Sequence, residues 1–208
     1  MPRLIFHLSI LFASFLLFQI QPISAKRLVP FFGGTPAVWN TCMFFFQLFL
    51  LFGYLAAQGY AKKKHEKFPK FIYIALLLAS LFFFGIDIPI NSIQEDTNPM
   101  LSIISILAQS LGLPYLLLAA TSPLVQHLHA EHYPKHSAYR LYALSNIGSL
   151  AALLFYPFLI EPFITLEAQY SIWIWGYRIF AVLISASIWI NLKENKKENL
   201  EKKEVTKE

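Results

Sequence analysis

From residue 4 to residue 25 the chain has no Asp, Glu, Lys or Arg, and similar apolar stretches recur along it, separated by short segments that hold nearly all the basic residues. Hydrocarbon offers backbone N–H and C=O groups no water, so the unit that crosses a bilayer core of about 30 Å is a helix of about 20 apolar residues. Six segments meet this requirement: 4–25, 38–60, 71–88, 100–122, 141–160 and 171–192. The expected fold class is therefore all-α, a polytopic helical membrane protein of six transmembrane helices. Composition agrees, since 56% hydrophobic against 14% charged residues over 208 positions, with 20 Phe, exceeds what one globular core needs.

The basic residues then orient the spans. With the amino terminus in the cytoplasm, 14 of the 17 Lys and Arg fall on the cytoplasmic side; only Lys26 and Arg27 fall opposite, and Arg178 lies inside the last segment. That bias is the signature of an N-in/C-in topology. The same distribution argues against a nucleic-acid partner despite the net charge of +5, because the cations do not form one basic face. Acidic Asp87, Glu95, Asp96, Glu161 and Glu167 occupy the opposite connections.

The first segment imitates a secretory signal peptide, with Arg3 ahead of it and Ile23-Ser24-Ala25 at its end. It is longer than a signal core of about 7–15 residues and places Ile at −3, so a retained span is expected. Pro30 to Pro36, with Gly33 and Gly34, forms the expected turn to the second segment, and Gly112 with Pro114 predicts a kink in the fourth. The tail 193–208, with six Lys and five Glu, cannot bury enough surface to fold alone and reads as a disordered cytoplasmic stop-transfer sequence. No repeat relates the first three segments to the last three.

Polar groups inside apolar segments are the candidates for function, because hydrocarbon makes them expensive. They are Asn40, Gln47, Gln109, Asn146 and Arg178, with Glu161 at the end of the fifth segment. For the amides, hydrogen bonding between helices is the commoner role. Arg178, beside Trp173, Trp175 and Tyr177, is expected to reach the outer interface and pair with Glu161 or Glu167. Gly53, Ala57 and Ala61, and likewise Ser145, Gly148, Ser149 and Ala152, lie at spacings that let helix backbones approach. Four histidines, His127, His129, His132 and His136, sit in the expected loop after the fourth segment. Histidine ligates zinc, but Pro134 breaks the helix that would align His132 with His136, so a polar interfacial loop is the reading favoured over a metal site. Cys42 stands alone, which excludes an internal disulfide. Neither a G-x-G pair nor G-x-S-x-G, H-E-x-x-H or C-x-x-C occurs, so no catalytic or cofactor-binding residue is assigned and no cofactor is expected.

Several strings bear a resemblance. Phe18-Gln19-Ile20-Gln21-Pro22, Leu28 to Met43, Phe45-Phe46-Gln47, Ala120 to Gln126, Tyr139 to Leu150 and Tyr156 to Pro162 resemble, in that order, the membrane module of spermidine-synthase-like fused membrane proteins. The histidine cluster is outside that pattern. The resemblance implies a transporter-like membrane module that precedes a soluble aminopropyltransferase-like domain. That domain would carry nucleotide and polyamine binding, and none of its catalytic residues has a position here. Two functions are consistent with these readings. One is a non-catalytic anchor or regulator of a separate cytosolic partner, such as an aminopropyltransferase-like enzyme. The alternative is a small permease for polyamines or another small solute, acting as a homo-oligomer. The expected location is the bacterial inner (cytoplasmic) membrane.

Overall fold

A computed structural model describes residues 2–62, 68–83, 98–132 and 139–205, and every regular element among them is helical. α1 (Pro2–Phe32), α2 (Pro36–Lys62) and α3 (Phe68–Phe83) come first. α4 (Pro99–Leu107) continues through a π turn, Ala108–Gly112, into α5 (Leu113–His132). α6 (Tyr139–Phe155) ends in a second π turn, Tyr156–Ile160, and α7 (Leu166–Val205) closes the order. Four helical stretches are long and apolar enough to cross a membrane: Leu4–Phe32, Pro36–Gly59, Pro99–Ala130 and Tyr139–Ile160. The expected segments 71–88 and 171–192 begin in α3 and α7, which are not among those four.

α1 is the central element, packing against α6, α7, α5 and α2. Ile10, Ile20 and Leu28 are fully enclosed along it, and the indole Nε1 of Trp173 donates to the Leu16 carbonyl oxygen at 2.9 Å. The sequence Ile23-Ser24-Ala25 that imitates a cleavage site is buried within this helix. α1 runs into the start of the expected turn, so that Pro30 lies inside the helix, and the break comes within that turn at Gly33, whose φ of +79° suits a residue without Cβ. α2 lies on α5 along its small face. A methyl group placed on Gly53 would stand 2.5 Å from the Ala119 Cβ. One on Gly148 of α6 would stand 2.5 Å from the Leu11 carbonyl oxygen of α1. Both small-residue faces are therefore used within the chain.

Both π turns adjoin prolines. Pro114 has no N–H to donate, and its ring would crowd the carbonyl four residues back. The wider turn just before it relieves both problems, and the helical path continues through Gly112 and Pro114. In the second, which contains Pro157, Glu161 N–H donates to Tyr156 O at 2.8 Å, a five-residue closure.

Two expectations are corrected. The helix before the histidine-rich segment extends to His132, so His127 and His129 stand on α5 rather than in a loop. Residues 133–138 are outside the described set. The tail expected to be disordered continues α7 as helix to Val205. Its Glu, Lys and Leu are strong helix formers, and elongating an existing helix avoids the nucleation cost that an isolated tail would meet.

Candidate functional site

The densest group of functional side chains lies where the end of α1 meets the α6–α7 connection. The π turn Tyr156–Ile160 carries Glu161 back toward α1, where it forms a salt bridge with Lys26. The Lys26 ammonium also lies 5.4 Å from the centre of the Tyr156 ring. One residue on, the Arg27 guanidinium stacks 4.0 Å from the Tyr170 ring centre. Both cations thus meet negative ring faces, which hold a guanidinium or ammonium well where water is scarce.

Deeper along α1, about one to four turns from Lys26, is a cavity of about 130 Å³ whose walls include Phe12, Phe15, Ile160, Trp173 and two glutamines, Gln19 and Gln169. Gln19 is 4% exposed, and neither its amide nitrogen nor its amide oxygen has a hydrogen-bond partner. Gln169, 5% exposed, donates through Nε2 to Ile164 O at 2.8 Å while its Oε1 stays unpaired. A buried polar atom left unsatisfied costs about 1–3 kcal/mol. The wall of this cavity is almost wholly apolar and the Gln19 amide atoms are covered, so the space suits one small apolar molecule better than water. No carboxylate lines the cavity, so its chemistry suits an uncharged guest and not a cation.

Several other buried polar groups are paired between helices, while Ser24, Thr41 and Ser110 donate to the carbonyl four residues back in their own helix. Tyr73 Oη lies 2.7 Å from Thr121 Oγ1 and donates to Leu117 O at 3.0 Å, joining α3 to α5. Ser80 and Tyr177 hydroxyls, 2.8 Å apart, join α3 to α7. Gln21 Nε2 donates to Tyr115 Oη at 3.0 Å, and the Ser145 hydroxyl lies 2.8 Å from that of Ser14 and 3.1 Å from that of Ser122. These bonds position helices, and among the described residues they form no continuous polar track through the bundle.

The residues singled out from sequence lie elsewhere. Asn40, Gln47, Gln109 and Asn146 are all exposed on the bundle surface, and Gln109 bonds only to Ser105 of its own helical rod, at 2.8 Å. Arg178 stacks 4.6 Å from the Trp175 ring centre. Its expected partner Glu161 is held by Lys26 instead, because the π turn aims the carboxylate at α1. His129 is buried edge-on to His7, at 6.2 Å between ring centres, and to Phe6 at 6.5 Å. His127 is half-buried and stands two positions away, about 200° around the helix, so the two cannot converge on one ion. Among the described residues no group of three or more His, Cys, Asp or Glu could hold a metal; His136 is outside them, as is the side chain of His132. Sequence reasoning missed Gln19, Gln169 and the Lys26–Glu161 pair. The signal for Gln19 was present, an amide amid apolar residues, but nothing along the chain says that residue 19 meets residue 169.

Comparison with known protein families, with curated proteins and with solved structures finds no match for this chain.

Proposed function

We propose that this chain is an integral membrane module of six spans, N-in/C-in, which does no chemistry itself and anchors or regulates a separate cytosolic partner. The observation that carries this reading is where the polar side chains lie. A permease must line an internal route with groups that replace water, whereas Asn40, Gln47, Gln109 and Asn146 all face outward. Several interior polar groups tie helices together and others bond back to their own helix, and the described cavity lined by Gln19 and Gln169 has no carboxylate for a polyamine. Topology is supported by the Lys26–Glu161 contact: an N-in chain of six spans puts the end of the first span and the fifth connection on the same side. The opposite end gathers His7 and His129, as alternating spans require.

The cytosolic partner follows from the resemblance to spermidine-synthase-like fusions, so an aminopropyltransferase-like protein is the one expected, and a bacterial inner membrane the place. Mild detergent extraction of a tagged chain should recover that soluble protein in one-to-one stoichiometry, while recovery of the chain alone counts against it. Spermidine uptake into liposomes holding the purified chain should stay at the level of empty vesicles; uptake above that level favours the permease.

A further inference from the structure

α2 has two unlike faces. Gly53 and Ala57 lie on the inner one against α5, with Phe45 and Phe46 buried in the core. On the outer face stand Asn40, Phe44, Gln47, Leu51, Tyr54 and Gln58, spaced by four, three, four, three and four residues, and all six are exposed. No side-chain hydrogen bond links Asn40, Gln47 or Gln58 to another described residue. In a span, an amide facing lipid is a standing cost that association removes.

We infer that this outer face of α2 is an in-register interface with a second copy of the same chain. The inference rests on the membrane-spanning reading above, but not on the identity of any cytosolic partner. Three features select a second copy as the occupant. Residues alternating at three and four positions form a straight seam when two helices cross at about 20° and wind left-handed. Copies of one chain inserted in one membrane have the same orientation, so their α2 helices are parallel and a two-fold axis along the membrane normal places each seam residue opposite itself. Finally, a primary amide both donates and accepts, so Asn40 against Asn40 and Gln47 against Gln47 are satisfied pairs. An unrelated helix would have to match the seven-residue spacing of the two amides; a second copy matches it by symmetry. From residue 40 to residue 58 the seam runs about 27 Å, nearly the whole hydrocarbon thickness.

The test uses cysteine cross-linking in native membranes with the full chain in a Cys42→Ala background, which removes the single native thiol. Phe44→Cys and Leu51→Cys probe the seam without disturbing its amides; Leu78→Cys on α3 and Leu153→Cys on α6, exposed elsewhere, are controls. Mild oxidation with copper phenanthroline should give a disulfide-linked homodimer at 44 and 51 at several times the yield at 78 and 153. Equal yields at all four positions, or adducts only to a different protein, overturn the inference. Replacing Gln47 with Leu should also weaken dimerisation about tenfold in a fluorescence-transfer dilution series, and an unchanged dissociation constant argues against the seam. Extraction by alkaline carbonate separates the two readings: a chain released from membranes fails the spanning reading, whereas one retained but not cross-linked fails the seam alone.

Discussion

α1 and the stretch formed by α6 with its π turn are nearly equal in mean hydropathy, 1.9 and 1.7 over their apolar windows, yet half of the first window is buried against 17% of the second. α1 is enclosed by four other helices, whereas α6 meets α1 through a narrow strip holding Leu141, Gly148 and Ala152 and leaves Leu150, Leu153, Leu154 and Phe155 exposed. Hydropathy therefore says that a segment suits a membrane but not where it sits. Lipid tails are as apolar as leucine, and what selects the contact face is close backbone approach and a few hydrogen bonds.

If that contrast holds, α1–α6 contact should depend on its smallest residue most. Gly148→Leu, which drives a side chain into the Leu11 carbonyl, should destabilise the bundle by about 3 kcal/mol. The expected readout is loss of the monodisperse peak in a heated, fluorescence-detected size-exclusion series. A profile like the parent's would mean that α6 is not held on α1 in this way. The α1–α7 contact can be weakened more gently: Trp173→Phe keeps an aromatic side chain but removes the donor to Leu16 O and leaves space where the larger indole was buried. A loss of about 2 kcal/mol in the same heating series is expected.

The Lys26–Glu161 pair is partly exposed, at 30% and 44% of its two side chains, so it should contribute at most about 1 kcal/mol. A Lys26→Glu, Glu161→Lys exchange should recover most of the stability lost in either single variant. Failure of the exchange to do so would show that the two ends are not apposed. Leu153→Ala, on the open face of α6, should change stability by less than about 0.5 kcal/mol. A larger effect would reveal that something covers this face and would erase the contrast with α1.

Much of the helical framework was legible along the chain. Apolar run lengths anticipated the helices over 4–25, 38–60, 100–122 and 141–160, and Pro114 with Gly112 announced the distortion where α4 meets α5. Helix ends were less legible: α1 continues beyond Pro30 and α5 through His129, because whether a borderline residue joins a helix depends on packing partners distant in sequence. The candidate site was hardly legible. Asn40, Gln47 and Asn146 drew attention as polar residues in apolar segments, but the side of the helix they occupy depends on what surrounds it. Gln19 and Gln169, 150 positions apart, acquire meaning only by lining one cavity.

By itself the sequence determined the all-helical character, the membrane-compatible lengths and the sites of proline distortion, since these follow from local backbone chemistry and the absence of water in hydrocarbon. Only the tertiary structure decided which helix is central, that Glu161 pairs with Lys26 and not with Arg178, and that the small residues face inward while the amides of α2 face out. Those choices come from long-range packing: side chains far apart in sequence compete for the same partners, and one-dimensional polarity does not rank the outcomes.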